Sequence, residues 1–472
     1  MRPFVRLALL GVLCCLLAPS AGGYDLFDRT RTVTDGSYSV TAGGASVPVY
    51  AFKSEFHGGV YYAARFPLDG RAEILVRCSR SFRNVRILSG DDNLRWSVTG
   101  DGLLLRAARP FKAVVEVEGR VRPLILSAER PDREEAPAPS GKVRVFGPGE
   151  HHPGLIRLGS GDILWLAEGA VVHGGVYASG DGIRILGHGI LTGESWPRKG
   201  GPQQHLFMAD GCRDLEVRGV TFTAPWLWTL MLRNCDRPRL ENVCVFASNM
   251  INDDALDLCN CRDAVVRDCI LRCQDDAVAV KGMDTAGLPC ARILVERCLL
   301  WSDRANICRI GYECDVPYMK DITVRDCFVA HHSFVYRGGD QFWANTLFYV
   351  QPSDGKRLSD ITFERIRVHA DGRCVLLKAA SCLCRGPRTS GAWYTEGGAA
   401  HGILLRDIDI TGGCGGFEGS VWLEGRSASE TVSGVTLQRV RIGGRRIRQD
   451  FPYLHLGPFA AAPAFSMTQR DK

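Results

Sequence analysis

Three stretches share one layout: "RLENVCVFAS" at 239–248, "AVVRDCILRC" at 264–273 and "ILVERCLLWS" at 293–302. A short run alternates apolar and polar residues, a polar pair kinks it, and a second apolar run follows. The layout returns in "DLEVRGVTFT" (214–223), "ITVRDCFVAH" (322–331), "ITFERIRVHA" (361–370), "ILLRDIDITG" (403–412) and "VTLQRVRIGG" (435–444). Aligning Val217, Leu240, Val266, Val295, Val324, Phe363, Leu405 and Leu437 gives steps of 23, 26, 29, 29, 39, 42 and 32 residues. A constant core with spacers of variable length is the pattern of a coiled solenoid, whose insertions stay outside the coil. A propeller blade needs four strands and about forty residues, more than the short units supply. The expected fold is therefore all-β, a right-handed parallel β-helix over 143–450.

Upstream, residues 24–130 read as short alternating strands with turns and no sustained helical period, which predicts a small β-sandwich ahead of the coil. Within "ERPDREEAPAPSGK" (129–142) a Pro-rich, charged linker is expected over 131–142. Residues 1–21 combine Arg2 and Arg6 with an apolar run and small residues near Ala21, the layout of a secretory signal peptide. The run is short for a membrane span. The chain is expected to be secreted or periplasmic after cleavage, with 451–472 as a C-terminal tail. Its 472 residues are 45% hydrophobic and 23% charged, with a formal charge of +6 and no basic block. That balance gives no footprint for nucleic acid, and no second membrane-length stretch is present.

The coil gives meaning to two acidic knots. "NDDALD" (252–257) and "QDD" (274–276) are separated by about one lap, and adjacent coils lie about 4.8 Å apart. Asp254 is expected beneath Asp275 or Asp276, so that Asp254, Asp275 and Asp276 converge on one outer face. Crowded carboxylates raise one another's pKa. One protonated and one ionised carboxyl can protonate a glycosidic oxygen and activate water, with inversion where the water fits between them.

Nineteen cysteines, less Cys14 and Cys15 in the leader, leave an odd number. Cys269, Cys298 and Cys327 share one register, occupied elsewhere by Val220, Val243 and Ile366. They are expected inside the coil as small apolar residues. The spacings around Cys259, Cys261, Cys269 and Cys273 fit no common zinc framework, so no metal and no cofactor are expected.

At the two knots the sequence resembles the polygalacturonase-type glycoside hydrolases of family 28. Asn252 and Asp254 fall on that family's N-T-D-G element, Asp275 and Asp276 on its D-D element, and Lys281 on the lysine that ends the following strand. "APWLWTL" resembles its S-P-x-W-T-L stretch, with Pro225 and Trp228 matching. The resemblance covers about 145–445. It implies that Asp275 is the general acid and that Asp254 and Asp276 hold the attacking water. "DRANICRIGYE" resembles the family's later segment at Ile310, Gly311 and Glu313, but Ala305 or Asn306 stands where the family has histidine. In "LLK", Lys378 is kept and Leu376 replaces arginine. The missing pair serves uronate substrates in that family. The sandwich before the coil is similar to family 49, which cuts neutral α-glucans, so the resemblance places the chain in the broader group containing both families.

Candidate substrate-binding residues are thus Asn252, Asp257, Lys281, Arg304, Arg309, Glu313, Lys378 and Trp228. Trp226, Trp301, Tyr312, Tyr318 and Trp343 are further aromatic candidates. His331 and His332 open an insertion expected to overhang the cleft. The expected activity is hydrolysis of α-glycosidic bonds in a polysaccharide or its oligosaccharides. The alternatives are a β-helix polysaccharide lyase and a non-catalytic carbohydrate-binding protein.

Overall fold

A computed structural model describes residues 37–466 except 57, 118, 133, 333–345, 371–374, 384–395 and 413–419. The expected leader and the tip of the insertion after His332, with Trp343, lie outside the described residues. Among those described there is no α-helix, and 31 strands wind into one continuous coil after a ten-strand sandwich.

Each lap contributes strands to three parallel sheets. The first carries the aligned sequence repeat, and all seven of its steps are observed pairings: Val217 with Leu240, Leu240 with Val266, Val266 with Val295, and onward through Val324, Phe363 and Leu405 to Leu437. The second holds the short apolar runs, such as Thr221–Thr223, Cys244–Phe246, Ile270–Cys273 and Leu299–Ser302. We call it the docking sheet. The third, the site sheet, includes Leu230–Arg233, Leu256–Cys259, Val278–Met283, Cys308–Asp315, Thr346–Gln351 and Val375–Ala380. Inward-facing side chains of the three sheets form one apolar column, in which Cys269, Cys298 and Cys327 stack beside Val220, Val243 and Ile366.

The kink between the first two sheets has a repeated backbone cause. Asn242, Asp268, Arg297, Asp326, Arg365, Asp407 and Arg439 all adopt left-handed φ between 50° and 55°. Such a φ is strained for long side chains, and the sequence offsets it by alternating sign. Arg297 grips Asp268 one lap below through two hydrogen bonds of 2.9 and 2.8 Å, and Arg365 grips Asp326 at 2.6 and 2.9 Å. Arg439 grips Asp407 in the same way. Parallel bonds from a planar guanidinium suit carboxylate geometry.

The sandwich comprises two five-stranded sheets, covering Tyr38–Glu129. Its second face lies on the docking sheet, where Phe52, Tyr61, Leu88, Val114 and Ile125 meet Cys244, Phe246, Ile270, Leu299, Trp301 and Ala330. Arg272 is fully buried in this seam, sandwiched by Tyr61 and Trp301 and paired with Asp303 at 3.1 Å. The segment after the sandwich is tied to the first laps, with Glu134 on Arg184 at 2.9 Å and Asp132 on Arg218. The coil runs past the expected boundary at 450. Leu454–Leu456 and Ala464–Ser466 pair with the preceding lap, as strands of three residues, too short for their alternation to show in sequence.

Candidate active site

The site forms where the chain enters the site sheet. Backbone bonds from Ala255 N to Asp276 O and from Ala277 N to Asn306 O set the register. They put Asp254, Asp276 and Asn306 in one column, one per lap. Asp275 precedes Asp276 in the turn. Asp253 fixes both turns, accepting backbone N–H groups of Ser248 and Asn249 from its own lap and of Gln274 and Asp275 from the next, at 2.6–3.1 Å. The first knot is thereby buttoned to the second.

Oxygens of Asp254, Asp275 and Asp276 all lie within 4.8 Å of one another. Their partners differ. Asp276 is buried; one oxygen accepts the backbone and side-chain N–H of Asn306 at 3.1 and 2.7 Å, the other Arg309 at 3.1 Å. Asp254 is buried, with Oδ2 on the Lys281 ammonium at 3.0 Å, while Oδ1 has no hydrogen-bond partner in the protein. Asp275 is only partly buried and takes a weak 3.4 Å bond from Asn252.

Burial raises the pKa of Asp275 well above the ordinary carboxylate value, reinforced by Asp254 and Asp276 and opposed by Arg309 and Lys281. Asp254 is raised for the same reasons, burial first, with Lys281 holding it back. Lys281 is raised in turn: burial works against its charge, but Asp254, Asp257, Glu313 and Asp276 outweigh it. Burial thus pushes up Asp275, the most open member, together with Asp254. A metal ion does not suit the cluster, because two of the three carboxylates already bear an ammonium and a guanidinium.

Several expected substrate contacts take other roles. Asp257 is fully buried, 2.6 Å from Lys281, so it anchors that ammonium rather than a sugar. Lys281 is itself buried, with its ammonium 3.0 Å from Asp254. Trp228, which is partly exposed, stacks on the ring of His205 at 4.5 Å and has the Lys281 ammonium 3.7 Å from its ring centroid. Asn252 and Arg309 touch the acids directly. Arg304 reaches Gln274 at 2.9 Å on the rim. Glu313 makes no ion pair with Arg309 but raises the pKa of both Arg309 and Lys281. Lys378 stands two laps beyond Arg309 on the same outward row, through Tyr349. It lies between the rings of Tyr349 and Trp422 and is pushed down to about 7 by burial.

His331 faces the sandwich and not the cleft, bonded to Glu116 at 2.6 Å, and His332 bonds the carbonyl of Ala305. Trp226 and Trp301 are fully buried, so neither meets a ligand. Sequence reasoning missed Asp253, Gln274 and the sandwich residue Glu55, which bonds Gln274 at 2.7 Å. Asp253 carried a signal, as the extra acid of a doubled pair; Glu55 carried none.

No protein-family model matches the chain, and no curated protein matches it. Among solved structures it is similar to Dex49A from Penicillium minioluteum, at TM-score 0.67 and 13% identity over 93% of this chain and 95% of that one. It is also similar to the family 28 exopolygalacturonase of Yersinia enterocolitica, at TM-score 0.55 and 10% identity over 84% and 96%. At these identities the likeness establishes the fold: a polygalacturonase-like parallel β-helix.

Proposed function

We propose that this chain is an exported glycoside hydrolase that cleaves α-glycosidic bonds of a polysaccharide or its oligosaccharides by single displacement. One observation carries the reading: three carboxylates from adjacent laps share one gap, and only Asp254 Oδ1 among the buried oxygens of that trio is left without a protein partner. A water is the natural occupant. Asp275, the protonated and most open member, gives its proton to the glycosidic oxygen as the bond to the anomeric carbon breaks. Asp254 takes a proton from the water as its oxygen bonds that carbon from the opposite face. Asp276, fixed by Asn306 and Arg309, holds the water with Asp254. The two fold neighbours named above, one a family 28 exopolygalacturonase, support a saccharide-cleaving site on this scaffold.

A gap below 4.8 Å is shorter than the roughly 6.5–9.5 Å usual for two-carboxylate inverters and nearer the retaining spacing. The third carboxylate separates the cases. Asp276, oriented by Asn306 and Arg309, forms with Asp254 a two-sided cradle for water. Reducing-end release should be assayed on polygalacturonate, rhamnogalacturonan, dextran, pullulan and α-galactosides. Proton NMR of the first product should show the inverted anomer; a retained anomer would make Asp254 a nucleophile. An unsaturated, ultraviolet-absorbing product lost with chelator would mean a lyase instead. Binding without cleavage across the panel would leave a non-catalytic carbohydrate receptor.

A further inference from the structure

The first laps of the coil gather a second cluster. Strand Gly149–Leu158 pairs with Ala170–Ala178, but the register slips between His151 and Gly154. A bulge of this kind re-aims a side chain, and here it lays His152 over His173. Their rings stack at 4.3 Å and 16°. One donor atom from each of Glu150, His152 and His173 lies within 4.8 Å of the others. The next lap supplies Glu194, whose carboxylate is 3.3 Å from Nδ1 of the buried His173, with the Ser195 hydroxyl at 3.4 Å. A carboxylate on one ring nitrogen is the arrangement that orients a histidine for metal through the other.

We propose that Glu150, His152 and His173 bind a zinc ion, with Glu194 orienting His173 and water completing the coordination. Zinc suits a set of two imidazoles and a carboxylate with an open fourth position. Bonds of about 2.0–2.1 Å to nitrogen bring tetrahedral donors within about 3.3 Å of each other. The present set closes to that by rotation of His152, whose side chain is 65% exposed. The ion would also brace the loop after Thr192. From that loop Arg198 grips the Asn252 side chain at 2.7 Å, and Asn252 in turn bonds Asp275.

The inference is independent of the glycosidase reading, and its test reads metal directly. The full chain is stripped with chelator, dialysed against zinc and analysed for metal content, then loaded with cobalt for its visible spectrum. Wild type should hold about one zinc per chain and show the intense bands of low-coordinate cobalt. H152A and E150Q alter exposed side chains and should fold as wild type, yet lose stoichiometric zinc. E194Q should keep the ion with affinity lower by about 10–100-fold. Absence of stoichiometric zinc in wild type, or equal binding by wild type, H152A and E150Q, would mean an adventitious ion only and overturn the site. Unchanged affinity in E194Q would overturn the role given to Glu194.

Discussion

Two edges of the same coil stack charged side chains lap upon lap, and they end in opposite electrostatic states. Along the corner from Asp268 to Arg439 the signs alternate, each aspartate meets an arginine, and the Asp326 and Asp407 pKa values fall because those arginines bond them. At the site, five carboxylates (Asp254, Asp257, Asp275, Asp276 and Glu313) act on two cations, Lys281 and Arg309. Burial then decides the outcome, and Asp254 and Asp275 rise instead. Lap spacing alone makes a ladder. A deficit of cations among buried carboxylates is what sets this edge apart from the ladder.

The comparison can be broken most sharply at the proton. D275N should lower kcat by about 10²–10⁴-fold, the usual worth of a positioned acid, with the fold intact by circular dichroism. Its stability should move the other way. The folded pKa of Asp275 is raised, so its ionisation costs stability increasingly as pH climbs from the unfolded value of about 4 towards the folded one. D275N removes that cost, and urea melts near neutral pH should show a more stable protein than wild type.

Removing the shared ammonium tests the cation deficit from the other side. K281M leaves Asp254 and Asp257 buried without their partner and should destabilise the fold by about 3–5 kcal/mol, read as a fall in denaturant midpoint. A smaller effect is expected at Arg309, which opposes the rise of Asp275. In R309Q the alkaline limb of the pH–rate profile should move upward, because Asp275 keeps its proton to higher pH. A downward shift would remove Asp275 from the acid role. Smallest is the corner. D268N keeps a residue that tolerates the left-handed φ while deleting the charge. A double-mutant cycle with Arg297 should give about 0.2–1 kcal/mol, fading with salt. A coupling as large as that at Lys281 would erase the distinction between the edges.

The coil was legible because its repeat is made of backbone register, and every aligned apolar position from Val217 to Leu437 pairs as the spacing requires. The three acids were legible for the same reason, their separation being one lap. What the spacing did not show is which side chains stand in front and which behind. Asp257 and Lys281 alternate outward as expected, yet both sit beneath the surface, and Trp228 stacks on His205, a residue with no motif around it. His331 looked like a cleft residue because nothing in the repeat reveals that the sandwich covers the docking sheet. The pairing of His152 with His173 depends on a bulge, a one-residue slip that sequence alternation does not reveal.

The claim that the acid cluster stores a proton which the corner does not is open to direct measurement by difference infrared spectroscopy across pH. Wild type minus D275N should show one protonated-carboxyl C=O band that persists above the usual carboxylate range, while wild type minus D326N, at a corner aspartate that Arg365 holds below that range, shows none. Superimposable spectra for wild type and D275N, with no band lost, would contradict it.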